Sequence, residues 1–165
     1  MSPDTLHKVW RLGADIDTDQ LAPGAYMKLG IEGIAPHCLE AVRPEFAGAV
    51  RPGDVIAAGP NFGIGSSREQ AAAALVQLGV RAVIAPSFSG LFFRNAFNLG
   101  LLLLTCREAG ELREGEQVTL DLQGMSVVTA DGRRLACDPI PGFLLDMVQA
   151  GGLMNQLRRK LQTSK

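Results

Sequence analysis

The stretch Asn61-Phe62-Gly63-Ile64-Gly65-Ser66-Ser67-Arg68-Glu69-Gln70 sets two hydroxyls, a guanidinium and a carboxylate on consecutive positions behind two closely spaced glycines. A guanidinium pairs with a carboxylate through two parallel N–H donors, and an adjacent hydroxyl adds a third bond. If the run opens a helix, the first backbone N–H groups lack intrahelical partners and the dipole adds positive character, so an anion is favoured there. A serine among such amides has its alkoxide stabilised and could remove a weakly acidic C–H proton beside a carboxylate. The chemistry on offer is carboxylate binding with a serine base.

Three familiar motifs are excluded by single residues. A phosphate-binding P-loop needs Lys after its last glycine, and Gly65 is followed by Ser66. A dinucleotide fingerprint needs a glycine where Arg68 stands. The hydrolase elbow G-x-S-x-G does not fit, and His7 and His37 alone make a triad improbable. A plainer reading stays open: Ser66-x-x-Glu69 has the spacing of a capping box that merely closes a helix start. That reading leaves Ser67, Arg68 and the crowding of Gly59, Gly63 and Gly65 unused.

The elements that must position this turn can be read around it. An apolar run at 55–58 predicts a strand before it, and Ala71, Ala74, Leu75 and Leu78 mark the buried stripe of a helix after it, with Gly79 as its cap. Strand at 81–85, helix at 87–98 and strand at 101–105 continue the alternation, which predicts a layered α/β core with parallel pairing over 53–106. An opening strand is expected at 8–12, a loop at the acidic segment 13–20, and a short helix near 37–41. Period-two runs at 116–122 and 125–130, with a tight turn at Asp131-Gly132, predict an antiparallel meander. Short helices at 143–149 and 153–161 end the chain.

Composition bounds the rest. With 165 residues and 47% apolar content, one domain spanning 1–165 is expected. The formal charge of −1 is scattered, which argues against nucleic acid; Arg158-Arg159-Lys160 reads as a solvated helix terminus. The longest apolar run, near Leu101, falls far short of the roughly 18 residues that span a bilayer. The first residues lack a signal-like apolar core, so a cytoplasmic protein is expected. Cys38, Cys106 and Cys137 form no C-x-x-C pair, so neither a disulfide framework nor a metal site on this chain is expected.

The run from Asn61 to Ala71 resembles the signature of the swivelling domain of the aconitase superfamily. So do the downstream run from Ala82 to Leu101 and the upstream run from Asp17 to Met27. The free-standing length resembles the small subunits of isopropylmalate dehydratases of leucine biosynthesis. The resemblance implies a three-layer β/β/α swivelling domain: an α/β fold with a parallel core in a mixed sheet and C-terminal antiparallel strands. It implies that Ser66 is the catalytic base, that Ser67 and Arg68 hold a substrate carboxylate, and that Asp19 belongs to the active-site wall.

The segment Tyr26, Met27, Lys28 and Leu29 resembles the specificity loop of the isopropylmalate enzymes, with Lys28 where those carry Arg. Citrate is thereby disfavoured; isopropylmalate, homoaconitate-type and 2,3-dimethylmalate-type hydroxyacids stay open, as does a non-catalytic anion-binding module. Gln70 stands where many members have His, a change expected to act structurally. The resemblance also implies a 4Fe-4S cluster as Lewis acid, held by a large partner subunit and not by this chain, so that activity needs a heterodimer. The segment 16–27, rich in acidic residues and glycine, is expected to be a mobile lid.

Overall fold

The computed structural model describes residues 5–163. Seven strands form one sheet, in the order β4-β3-β2-β1-β5-β6-β7. β2 (Val55–Ala57), β3 (Ala82–Ala85) and β4 (Leu102–Thr105) are short and almost wholly buried. Such strands read as continuous apolar runs because both faces of a parallel sheet are covered. β5 (Gln117–Asp121) and β6 (Ser126–Thr129) pair antiparallel, and β7 (Arg134–Ala136) follows after the Asp131-Gly132 turn. Along β5, buried Val118 and Leu120 alternate with more exposed neighbours, as expected for a sheet with one open face. The fold class expected from the sequence is the one observed.

β1 (His7–Arg11) joins the two wings by dividing its pairing. His7 and Lys8 pair antiparallel with Val118 and Gln117, whereas Val9, Trp10 and Arg11 pair parallel with Val55, Ile56 and Ala57. The two wings are therefore offset along one strand, and the sheet curls. Its two edges, β4 and β7, come together: the Asp138 N–H donates to the Thr105 carbonyl at 2.8 Å. Arg133, just before β7, also reaches Glu111, just after β4, at 3.2 Å.

Helices α4 (Glu69–Gln77) and α5 (Gly90–Asn98) make the crossovers β2–β3 and β3–β4. Ala71, Ala72 and Ala74 are buried, and small residues let α4 lie close to its neighbours. Gly79 ends α4 as expected. At φ +84° its N–H bonds to Val76 and the next N–H, of Val80, to Leu75, the paired closure of a left-handed cap. Between β1 and β2 run α1 (Thr18–Leu21), a 3-10 helix (Gly24–Leu29), α2 (Gly30–Ile34), a second 3-10 helix (Ala35–His37) and α3 (Phe46–Ala49). The helix expected at 37–41 is thus displaced to 30–37, and Cys38 breaks it by turning extended at φ −59°, ψ 125°. α6 (Gly142–Ala150) and α7 (Leu153–Thr163) close the chain. Among the described residues no helix is long and apolar enough to cross a membrane.

Candidate functional site

The turn after β2 is pinned from three sides before it reaches its serines. Asn61, at φ +64°, donates its N–H to the Ser87 hydroxyl at 2.9 Å and its side-chain amide to Asp15 at 2.9 Å. Phe62 is fully buried, and its backbone bridges Phe88 through bonds to Ser87 and Ser89. Gly63 has φ +85° and passes so close to Phe92 that a Cβ would overlap that side chain. The Gly63 N–H donates to the Ile16 carbonyl at 2.7 Å, and the Thr18 N–H to the Ile64 carbonyl at 2.8 Å. A Cβ on Gly65, at φ +104°, would stand 3.1 Å from the Thr18 hydroxyl. The glycines are needed for close approach to the 16–18 segment.

Past this clamp, Ser66 and Ser67 are exposed, and neither hydroxyl has a partner among the described residues. The expected capping box of Ser66 and Glu69 is not formed. α4 begins at Glu69 with Arg68 in the cap position, extended at φ −118°, and no side chain caps it. The serines thus precede the helix start by one and two further positions. The N–H groups of Glu69 and Gln70 consequently donate to no group among the described residues. A capping box does exist, at α1, where Asp17 accepts from the Gln20 N–H at 2.8 Å and Gln20 from the Asp17 N–H at 2.9 Å. Its D-x-x-Q spacing was available in the sequence.

Arg68 and Asp19 meet, a pairing that the sequence does not announce. Arg68 Nη1 donates to Asp19 Oδ1 at 2.8 Å and to the Ala22 carbonyl at 3.0 Å. The Gly24 N–H also donates to that carboxylate, at 3.0 Å. The Arg68 bond first, and the Gly24 bond second, hold the Asp19 carboxyl below its usual pKa. Among the described residues no partner takes Arg68 Nη2 or Nε.

The segment 16–27 is no free lid. Ile16, Thr18, Leu21 and Ala22 are buried, and the capping box and the bridge to Ile64 fasten its backbone. Apolar residues at helical spacing within an acidic stretch supply the core-forming neighbours that the composition seemed to lack. Of the four loop residues, Met27 packs against the core, while Lys28 and Leu29 are exposed. Tyr26 stacks flat on His37, with centroids 3.6 Å apart and planes within 8°. The nearby Glu40 carboxylate raises the phenol pKa, and the His37 Nδ1 lies 2.8 Å from the same carboxylate. No motif or spacing in the sequence singles out His37 and Glu40, which only the fold brings to Tyr26. Gln70 lies half-buried in the first turn of α4.

The residues present do not fit a four-iron cluster. Cys38 is fully buried with its thiol pushed up to about 12 by burial, and Cys106 and Cys137 face each other. Among the described residues no three His, Cys, Asp or Glu side chains are grouped to hold a metal ion. The surface depression between Glu32, Pro36, Gly48 and Gln77 includes none of the site residues, and Ser66, Ser67 and Lys28 lie on an open face.

Residues 49–109 match the family model of the aconitase C-terminal domain. The 3-isopropylmalate dehydratase small subunit of Sulfurimonas denitrificans is 41% identical over 94% of this chain and 94% of its own length. The chain belongs to the 3-isopropylmalate dehydratase small-subunit family. The crystal structure of 3-isopropylmalate dehydratase from Methanocaldococcus jannaschii superposes with a TM-score of 0.88 at 38% identity, covering 96% of each chain. That agreement over nearly the whole length carries the family fold through the C-terminal meander as well as the motif-bearing half. The methanogen homoaconitase small subunit of Methanothermobacter thermautotrophicus is 41% identical over 94% of this chain and 92% of its own. The small-subunit family of aconitase-type hydro-lyases therefore includes relatives of two substrate names at equal distance from this chain.

Proposed function

We propose that this chain is the small subunit of 3-isopropylmalate dehydratase, interconverting 2-isopropylmalate and 3-isopropylmalate with a large subunit. The observation that carries the reading is Arg68: its Nη1 is held by Asp19 and Ala22, and its other N–H donors stay without a partner among the described residues, in the same turn as two unpartnered hydroxyls. Those donors receive a substrate carboxylate, and Ser67 adds a hydrogen bond to it. Ser66 takes the proton from the carbon next to that carboxylate; the C–H pair becomes the new C=C bond as hydroxide leaves the adjacent carbon. Return of water with the opposite regiochemistry moves the hydroxyl to the neighbouring carbon. The uncapped N–H groups of Glu69 and Gln70, beside the serine turn, favour the negative charge that Ser66 must carry as a base.

The 4Fe-4S cluster of the family is assigned to the large subunit, since the cysteines of this chain do not suit it. The openness of the serine face supports a site completed by that partner. The Tyr26–Leu29 segment, tied through Gly24 to the Asp19–Arg68 pair, reads the substituent of the hydroxyacid. One buried cluster running from Val9 to Met147 supports a single swivelling domain. Equal similarity to a homoaconitase subunit, together with Lys28, favours a homoaconitate-type acid as the second reading.

The test is reconstitution with the large subunit and assay of 2-isopropylmalate, homoaconitate and 2,3-dimethylmalate. Turnover of isopropylmalate that disappears in Ser66→Ala supports the proposal. Preference for another acid replaces it with the second reading. Full activity of Ser66→Ala reduces the chain to a binding module.

A further inference from the structure

The two edges of the curled sheet carry a pair of cysteines that the proposed chemistry does not use. Cys106 directly follows β4 and is fully buried; Cys137 directly follows β7 and is partly exposed. The Asp138 N–H to Thr105 carbonyl bond of 2.8 Å joins the peptide after Cys137 to the peptide before Cys106. A bond of that kind sets neighbouring backbones about 5 Å apart, inside the roughly 4.4 to 6.8 Å Cα span of a disulfide. Both backbones are fixed: the Cys106 N–H donates to Ala85 at 2.8 Å and the Cys137 N–H to Met125 at 2.8 Å. The two thiols act on each other across this join, Cys106 being lowered and Cys137 raised, while the Cys137 thiol also donates to the Leu135 carbonyl at 3.8 Å.

We propose that Cys106 and Cys137 form an oxidation site, at which a hydroperoxide converts the two thiols into a disulfide that staples β4 to the end of β7. The partly exposed Cys137 sulfur attacks the peroxide; the O–O bond breaks, an S–O bond forms, and the thiol proton leaves with the departing oxygen as water. Cys106 then attacks the Cys137 sulfur, the S–O bond breaks, and the hydroxide takes the Cys106 proton to leave as a second water. Two thiols and one hydrogen peroxide thus yield one disulfide and two waters.

The division of roles follows from the pair itself. Cys137 is the partly exposed member, which the peroxide reaches first, and the buried Cys106 stands behind it as the resolving thiol. In a reducing compartment the pair rests as two thiols. Oxidation covalently encloses the β5-β6-β7 meander, a loop of about 30 residues whose closure in the unfolded chain is costly. This inference is independent of the proposed function.

The test treats the full chain with hydrogen peroxide, alkylates remaining thiols, and digests with trypsin without reductant. The expected product links the peptides 95–107 and 135–158, with Cys38 alkylated. The apparent melting temperature should rise by roughly 5 to 15 °C and return on adding dithiothreitol. Cys137→Ser, at a partly exposed position, should lose the link and the rise together. The proposal is overturned by a Cys137 oxidised beyond the sulfenic stage without a link, by a link to Cys38 or between chains, or by a linked chain that melts no higher than the reduced one.

Discussion

Arg68 Nη1 stands 2.8 Å from Asp19 Oδ1, joining residues 49 positions apart at the mouth of the serine turn. The Asp19 side chain is 66% exposed, so the pair adds little to stability, of the order of 1 kcal/mol or less. Its consequence is positional: it fixes Nη1 of the guanidinium and leaves the other donors without a partner among the described residues.

Arg68→Lys tests that placement. Lysine keeps the charge and loses the planar fork, so kcat/KM of the reconstituted enzyme should fall about 10- to 1000-fold. The midpoint of thermal unfolding should move by no more than a degree or two. A change in stability with kinetics intact would overturn the assignment.

Asp19→Asn should show a pH dependence of fixed sign. The Arg68 bond lowers the Asp19 pKa below 3.8, so its contribution is present above the unfolded-state value and is lost as pH falls through the folded one. The stability difference between wild type and Asp19→Asn should therefore be constant near neutrality and vanish in the acid range below 3.8. Urea unfolding across that range measures it.

Ser66→Ala should cut kcat about 10²- to 10⁴-fold, the usual contribution of a positioned acid or base. The residue is exposed and unpartnered, so unfolding free energy should change by less than about 0.5 kcal/mol. Steady-state kinetics beside chemical denaturation separates the two effects.

Gly63→Ala should be destabilising for two additive reasons, a left-handed φ of +85° and overlap with Phe92. Together these cost about 2 to 4 kcal/mol. Gly13→Ala, where a Cβ meets nothing within 4 Å, is the matched control.

Glu40→Gln should bring the Tyr26 phenol down toward its ordinary value of 10.0, since Glu40 accounts for the largest part of its rise. Tyr26 is the one tyrosine in the chain, so tyrosinate absorbance against pH reads this directly. An unchanged titration would remove Glu40 as the phenol's partner.

Much of the fold was legible because it rests on local signals. Buried runs such as Leu102–Thr105 read as strands, and Gly79 read as a cap because its place after a helical stripe admits few alternatives. The Ser66–Glu69 spacing misled for a matching reason: a capping box needs the serine itself in the cap position, and the clamp of Gly63 and Gly65 on residues 16–18 passes that position to Arg68. The expected lid failed because acidic composition masked Ile16, Leu21 and Ala22, whose burial only the folded neighbours supply.

The sequence by itself determined the strand-turn-helix that carries Ser66, Ser67 and Arg68, since glycine freedom and apolar periodicity act over a few residues. Only the tertiary structure decided which distant groups meet: Arg68 with Asp19, Tyr26 with His37, Cys106 with Cys137. The last of these depends on the curl that brings Thr105 to Asp138. Register and closure of a sheet are collective properties, set by packing of the whole core and written in no single segment.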